Sequence, residues 1–113
     1  MIARIWSAQA APDRAPAYAD HLRSHVLPIL RAVDGYAGAV LLERCASTGV
    51  EIVVVTWWRS LEAIRAFAGA EIDAAVVADE AASLLTQFDL RARHYTVVMQ
   101  DAIAAPGSAG DRA

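Results

Sequence analysis

The sequence predicts an α+β fold in which two helices cover one face of a four-stranded antiparallel sheet. The order of apolar patterns along the chain is β-α-β-β-α-β, the order of a split βαβ unit. The clearest signal lies between Val50 and Ala68, where a β-branched run changes to helical spacing at two adjacent tryptophans. The length of 113 residues is enough for one domain with one hydrophobic core.

The first strand is predicted from Ile2 to Ala10, where two alternating sets of side chains face opposite ways. Pro12 ends this strand, and Asp13 is expected to cap the first helix, whose first turn tolerates Pro16. The helix has an apolar stripe at helical spacing: Tyr18, Leu22, Val26, Ile29 and Val33.

A proline inside the first helix predicts a break in its hydrogen bonding. Pro28 has no N–H to donate to the carbonyl of Ser24, so we expect a kink near His25. Asp34 and Gly35 then end the helical region.

The middle of the chain predicts an antiparallel hairpin followed by the second helix. The second strand runs from Tyr36 to Arg44 and the third from Val50 to Trp58, with a turn at residues 46–49 between them. Ser60 is expected to cap the second helix, because its hydroxyl can accept from a free N–H of the first turn. Gly69 supplies a left-handed end.

The last third of the chain is harder to assign. An alanine-rich and acidic segment predicts one or two short helices between Asp73 and Leu84, and alternation predicts a final strand from Phe88 to Gln100. We therefore expect one ferredoxin-like domain over residues 1–100 and a flexible tail over residues 101–113.

The apolar content exceeds what a small core needs. Apolar residues make up 57% of the chain and charged residues 20%. The third strand is apolar on both faces, since Ile52 and Val54 oppose Val53 and Val55. Burying one such side chain contributes roughly 1.5–3 kcal/mol. We therefore expect a homodimer joined through the sheet faces, which would close an α/β barrel.

Charge and composition exclude several classes of partner. The net charge is −3 and the ten basic residues are scattered, so nucleic-acid binding is not expected. Apolar runs are shorter than the roughly 20 residues that span a bilayer, so no membrane association is expected. The N-terminus lacks the pattern of a signal peptide, and Cys45 is the single cysteine, which together favour a reducing cytoplasmic location.

Four segments carry a resemblance to a known family: MIARIW, RAVDGYAGAVLLER, TWWRSLEAIRAFAG and HYTVV. With them the chain resembles the antibiotic biosynthesis monooxygenase-like family of the dimeric α/β-barrel superfamily. That resemblance implies a ferredoxin-like fold. The family includes cofactor-independent oxygenases of aromatic polyketides, haem-degrading enzymes and aldehyde-handling proteins. Trp58, followed by Arg59 and Ser60, matches a family tryptophan beside the pocket.

The resemblance also bears on cofactors. The haem-degrading branch has an asparagine in the first strand and a histidine in or after the second helix. This chain has no asparagine, and Phe67 lies roughly where the histidine would be. We therefore expect no haem, flavin or other cofactor.

Three histidines and one arginine are candidates for chemistry. His21 and His25 are four residues apart on a helix and can reach one metal ion, but no third ligand stands nearby in sequence, so no metal is expected. They can equally line a pocket or its edge. His94 is the candidate general base and Arg4 its anion partner; the alternatives are an interface histidine and a salt-bridged arginine.

Aromatic side chains supply the predicted walls of a substrate pocket. We expect the substrate-binding residues to be Trp58, Trp6, Tyr36, His25 and Phe67. An aromatic stripe is also typical of a plain hydrophobic core, and alternation allows only one of Trp57 and Trp58 to face the helices.

The sequence leaves two hypotheses for the function. In the first, the chain is a cofactor-independent monooxygenase-like enzyme: a base removes a proton from a small apolar or aromatic substrate of quinol or polyketide type, and the carbanion reacts directly with oxygen. In the second, the same dimer is a non-catalytic module that binds a small ligand or a partner.

Overall fold

The computed structural model describes residues 1–102 and contains the predicted antiparallel sheet with its helices on one face. The central strand β1 (Ile2–Ala10) pairs with β3, and β3 pairs with β2. The last 11 residues of the predicted tail, 103–113, lie outside the described residues. The α+β prediction is confirmed, and the first strand has the predicted bounds.

The predicted hairpin is present with slightly longer strands. Strand β2 is Tyr36–Ala46 and β3 is Gly49–Trp58, joined by the turn at residues 47–48. Gly49 has a φ of +133°, and a Cβ there would lie 2.7 Å from the carbonyl oxygen of Ala10. The close approach of the β1 backbone therefore requires glycine at this position.

The prediction of one continuous final strand is wrong. Two short strands, β4 (Gln87–Phe88) and β5 (Arg93–Thr96), pair with opposite ends of β1. Between them the Asp89 carbonyl accepts from Trp6 Nε1 at 2.8 Å, and the Ala92 N–H donates to Asp73 outside the sheet at 2.7 Å. The chain therefore still bonds to β1 at Asp89 and leaves the β1 ladder before Ala92, which alternation alone does not reveal.

The first helical region is broken where proline predicts it. It consists of α1 (Ala15–His21), a π-helical segment (Leu22–Val26) and α2 (Leu27–Arg31). The Leu27 N–H donates to the carbonyl of Leu22, five residues back, just before Pro28. The wider turn accommodates the proline without ending the helix. The predicted Asp13 cap is wrong: Arg14 precedes the helix, and no side chain caps it.

The second helix starts and ends as predicted, but the segment after it contains less helix than predicted. In α3 (Leu61–Ala68) the Ser60 hydroxyl accepts from the Ala63 N–H at 3.2 Å, and Gly69 has a φ of +87°. Within residues 73–84 the only helix is the single turn α4 (Asp79–Ala82). Residues 75–78, just before it, have no regular structure. No helix within residues 1–102 is long and apolar enough to cross a bilayer.

The two faces of the sheet differ in cover. Five side chains of β3 are buried beneath the helices: Val50, Ile52, Val54, Thr56 and Trp58. The alternate side chains Val53, Val55 and Trp57 are half-buried on the opposite face, where no described element covers them. Ile5 and Val40 pair with Val55 from the two neighbouring strands and extend this open face. We call this surface the open face.

Candidate functional site

A small cavity lies between the sheet and the helices and is mostly apolar. Its volume is about 70 Å³. The sheet contributes Arg4, Trp6, Val54 and Thr56; the first helical region contributes Tyr18, His21, Leu22, Val26 and Leu30. Phe67 of α3, Ala81 of α4 and residues 75–78 complete the wall. A cavity bounded by an irregular segment on one side can enlarge without disrupting a helix or strand.

Arg4 is the charged group of this cavity and is almost fully buried. Its Nη1 donates to the carbonyl of Ile72 and to Nε2 of His94 at 2.8 Å, and its Nη2 donates to the carbonyl of Ala74 at 2.8 Å. Its guanidinium carbon also lies 5.9 Å from the centre of the Phe67 ring. Strand β1 thus places the Arg4 guanidinium at the mostly apolar cavity, where three hydrogen bonds fix its orientation.

No carboxylate among the described residues forms a salt bridge with this buried cation. Asp73, the acid that acts on Arg4 through its charge, is paired with Arg91 at 2.9 Å. Burial lowers the pKa of Arg4, although the nearby Asp73 opposes that shift. Guanidinium remains protonated in proteins, so the site carries a positive charge. An arginine whose partners are carbonyls and a histidine can receive an anionic ligand.

His94 lies beside Arg4 on β5, directly opposite it in the strand register. Arginine can only donate, so Nε2 of His94 is the acceptor and the ring proton lies on Nδ1. Burial and, secondarily, the Arg4 charge lower the pKa of His94. The imidazole is therefore neutral at pH 7, as a general base must be, but its free electron pair is engaged by Arg4.

Two side chains of α1 face the same cavity. Burial raises the pKa of Tyr18 to about 12, so it is a neutral phenol, and its ring centre lies 6.1 Å from that of Trp6. His21 is buried, and its Nε2 has no hydrogen-bond partner within residues 1–102. A buried polar atom in that state is costly unless something binds it.

The structure brings only some of the predicted site residues together. Arg4, Trp6 and Phe67 line the cavity, and His94 supports Arg4 from outside its lining. His25 is exposed and lines a separate depression between the first helical region and α4.

The other two predicted residues belong to the adjacent core. Trp58 is fully buried, donates from Nε1 to the Thr56 hydroxyl at 2.8 Å, and stacks on Phe67 with ring centres 5.6 Å apart. Tyr36 meets the Trp58 ring edge-on, with a centre distance of 5.5 Å. Both lie outside the cavity lining.

Several cavity residues were not singled out from the sequence. Tyr18 and Val26 belong to the apolar stripe of the first helix, and that stripe faces both core and cavity, so the spacing does not distinguish the two. Residues 75–78 give no periodic signal at all. The signal that was available is the placement of His21 one turn from Tyr18, which puts both on one helix face.

The antibiotic biosynthesis monooxygenase family matches this chain over residues 1–83. That span covers the strands β1 to β3, the helical regions and every residue that lines the cavity. The chain belongs to this family. No curated protein is similar enough in sequence to count as a match.

Solved structures of family proteins and their neighbours share the fold at low sequence identity. Rv0793 from Mycobacterium tuberculosis is 21% identical, with 89% of this chain and 98% of that chain covered and a TM-score of 0.59. The heme-degrader MhuD from the same organism, solved with two hemes in its active site, is 23% identical, with 90% and 100% covered and a TM-score of 0.58.

A third neighbour is a monooxygenase from the gene ActVA-Orf6 of Streptomyces coelicolor, solved with the ligand Nanaomycin D. It is 19% identical, with 92% of this chain and 91% of that chain covered and a TM-score of 0.55. At these identities the likeness establishes the ferredoxin-like fold of this family member.

Proposed function

We propose that this family member is a cofactor-independent monooxygenase acting on a small apolar or aromatic substrate with an acidic C–H or O–H group. The observation that carries the proposal is the buried Arg4 cation, which faces an apolar cavity without a carboxylate partner among the described residues. An enolate or phenolate is the ligand that such a site would stabilise best, because Arg4 would bind its negative charge and the apolar lining would contact its carbon skeleton.

The proposed reaction begins with proton loss to His94. Binding of the substrate oxygen to Arg4 would take over the N–H that Nε2 of His94 now accepts, which frees that nitrogen as the base. The substrate carbanion then bonds to O₂. The O–O bond breaks, one oxygen stays on carbon as a carbonyl, and the other leaves as water. A CH₂ group and O₂ thus give C=O and H₂O.

A binding function without catalysis is the second candidate. It is supported by the position of His94, which lies outside the cavity lining with its electron pair already engaged by Arg4. In that case Arg4 and Trp6 would hold an anionic aromatic ligand, and no oxygen would be consumed.

Arg4→Gln tests the anion role. Oxygen uptake is measured with anthrone and quinol substrates, and binding is followed by quenching of tryptophan fluorescence. We expect turnover to fall about 10²–10³-fold, the usual effect of losing one preorganised donor at an oxyanion. Arg31→Gln, which removes an exposed arginine of α2, is the matched control and should keep wild-type turnover.

The two candidates give different results in this experiment. Quenching by the ligand without any oxygen uptake supports the binding module, provided that Arg4→Gln weakens the quenching. Equal turnover and equal binding in wild type and Arg4→Gln, with matching circular dichroism, would refute the anion site itself.

We also propose that the open face is the contact surface of a homodimer. Its support is the row of half-buried apolar side chains on three adjacent strands, among them Ile5, Val40, Val55 and Trp57. Contiguous apolar patches of this kind on small domains usually mark an interaction surface.

A further inference from the structure

A second cluster of polar side chains lies where the first helical region meets α4. One ring nitrogen of His21, one of His25 and a carboxylate oxygen of Glu80 lie within 4.8 Å of one another. His21 and His25 come from the first helical region, and Glu80 comes from the single turn α4. The sequence shows the two histidines but gives no reason to connect them with an acid 55 residues beyond His25.

The π-helical segment holds the two histidines on one side of the helix. His21 is the last residue of α1 and His25 lies inside the wider turn, with ring centres 5.3 Å apart. Both line one open depression with Glu80, and Ser83 and Leu84 bound it on the side of α4. Two separate elements therefore converge on a common point.

His21 and Glu80 are available to a ligand. His21 is 8% exposed, and its Nε2 has no hydrogen-bond partner within the described chain. Glu80 forms no salt bridge within residues 1–102, whereas the nearby Asp20 is paired with Arg23 at 2.9 Å. The unmet need at this cluster belongs to His21, because a buried ring nitrogen without a hydrogen-bond partner is costly, and Glu80 is exposed and free to move toward it.

We propose that His21, His25 and Glu80 form a binding site for a divalent transition metal of the Zn²⁺ class. Two imidazoles and one carboxylate are a common ligand set for these ions, and such sites complete their coordination with water. A tetrahedral site with Zn–N distances near 2.0–2.1 Å needs ligand atoms about 3.3 Å apart. His25 and Glu80 are exposed, so rotation of their side chains can close the difference.

Metal binding here would fix one wall of the cavity. His21 lines the cavity as well as the cluster, and Ala81, which follows Glu80, also lines it. An ion held by both elements would tie α4 to α1 and thereby hold residues 75–78, the irregular part of the wall, in place. The metal-site proposal does not rest on the proposed oxygenase activity, because its ligands do not include Arg4 or His94.

The test uses the full chain, free of any affinity tag and carrying Cys45→Ser so that the exposed thiol cannot bind metal. Zn²⁺ is titrated by calorimetry, and Co²⁺ by its visible absorption, which reports the ligand geometry. We expect one ion per chain and a higher melting temperature with Zn²⁺. His25→Gln and Glu80→Gln should each weaken binding about tenfold or more, since even outer-shell changes cost about 10–100-fold.

Asp79→Asn is the matched control, because it removes an adjacent acid of α4 that does not belong to the cluster; its affinity should equal that of the parent. Absence of saturable binding in the parent would overturn the proposal. So would binding that is unchanged in both His25→Gln and Glu80→Gln. Because both variants alter exposed side chains, loss of binding in a variant with an unchanged melting temperature of the metal-free protein supports the site.

Discussion

Trp57 and Trp58 are neighbours in the sequence and have opposite surroundings. Trp58 is fully buried beneath the helices, where its N–H reaches Thr56 and its ring stacks on Phe67. Trp57 lies half-buried on the open face, and Gly38 of β2 pairs with it. The same residue type is therefore part of the buried core at position 58 and part of the partly exposed open face at position 57.

The comparison shows that strand alternation decides the role of each tryptophan, while residue type does not. Trp58 packs against elements of its own chain, so its area is buried on folding. Trp57 has comparable apolar area, and most of its further burial would come from a second molecule. Substitutions beneath the helices should accordingly change folding stability, and substitutions on the open face should change dimerisation.

The largest expected effect is that of Trp58→Ala. Removing a fully buried indole should lower the free energy of unfolding by about 3–5 kcal/mol. Trp57→Ala should cost clearly less in the monomer, because part of that ring is already exposed. The free energies of unfolding of the two variants are compared by urea denaturation. Both are made in a chain that also carries Val55→Asp, which should keep it monomeric. Equal losses would contradict the assignment of the two rings to different environments.

A charge on the open face should abolish the proposed dimer while leaving the fold intact. Val55→Asp places a carboxylate at the centre of the face, between Ile5 and Val40. Light scattering at micromolar concentration should give twice the chain mass for wild type and the single chain mass for the variant. Circular dichroism should be the same for both. Val76→Asp, which alters an exposed valine outside the sheet, should remain dimeric. A monomeric wild type would disprove the dimer.

The smallest expected effect concerns acid stability. Burial and the Arg4 charge lower the pKa of His94 from the ordinary value of 6.5. Below pH 6.5 the unfolded chain therefore binds more protons at this residue than the folded chain does, so stability is lost as the pH falls. His94→Gln removes this titration and keeps an acceptor for Arg4. Its melting temperature should fall less than that of wild type between pH 7.5 and 5.5.

The pH comparison is made in EDTA, with each protein referred to its own melting temperature at pH 7.5, so that any packing loss cancels. Parallel curves for wild type and His94→Gln would contradict a lowered pKa of His94 in the folded protein.

Most of the fold follows from local signals in the sequence. The β-branched run of β3, the Ser60 hydroxyl and Gly69 each act on residues within a few positions, and each has the predicted effect. Pro28 likewise disturbs hydrogen bonds only within its own helix. The split of the final strand has no such local signal, because it depends on a bond from the Ala92 N–H to Asp73, 19 residues earlier in the chain.

The candidate site was less accessible to sequence analysis for the same reason. Arg4 is recognisable as a charge in an apolar strand, but its partners Ile72 and Ala74 contribute carbonyls, which carry no sequence signature. Glu80 is one of several acids in an alanine-rich segment, and only the folded chain brings it to His21. Arg4 is thus recognisable from its own strand, whereas its carbonyl partners and the approach of Glu80 to His21 depend on how distant parts of the chain meet.

The divided final strand also affects how molecules meet edge to edge. A long uninterrupted outer strand offers a row of free backbone groups on which another chain can add a strand, a common start of aggregation. Here that border of the sheet consists of two residues, Gln87–Phe88, and four residues, Arg93–Thr96, with the chain turned away between them. Such short pieces give an incoming strand little to pair with, so this border resists runaway polymerisation while the apolar open face remains free for a specific contact.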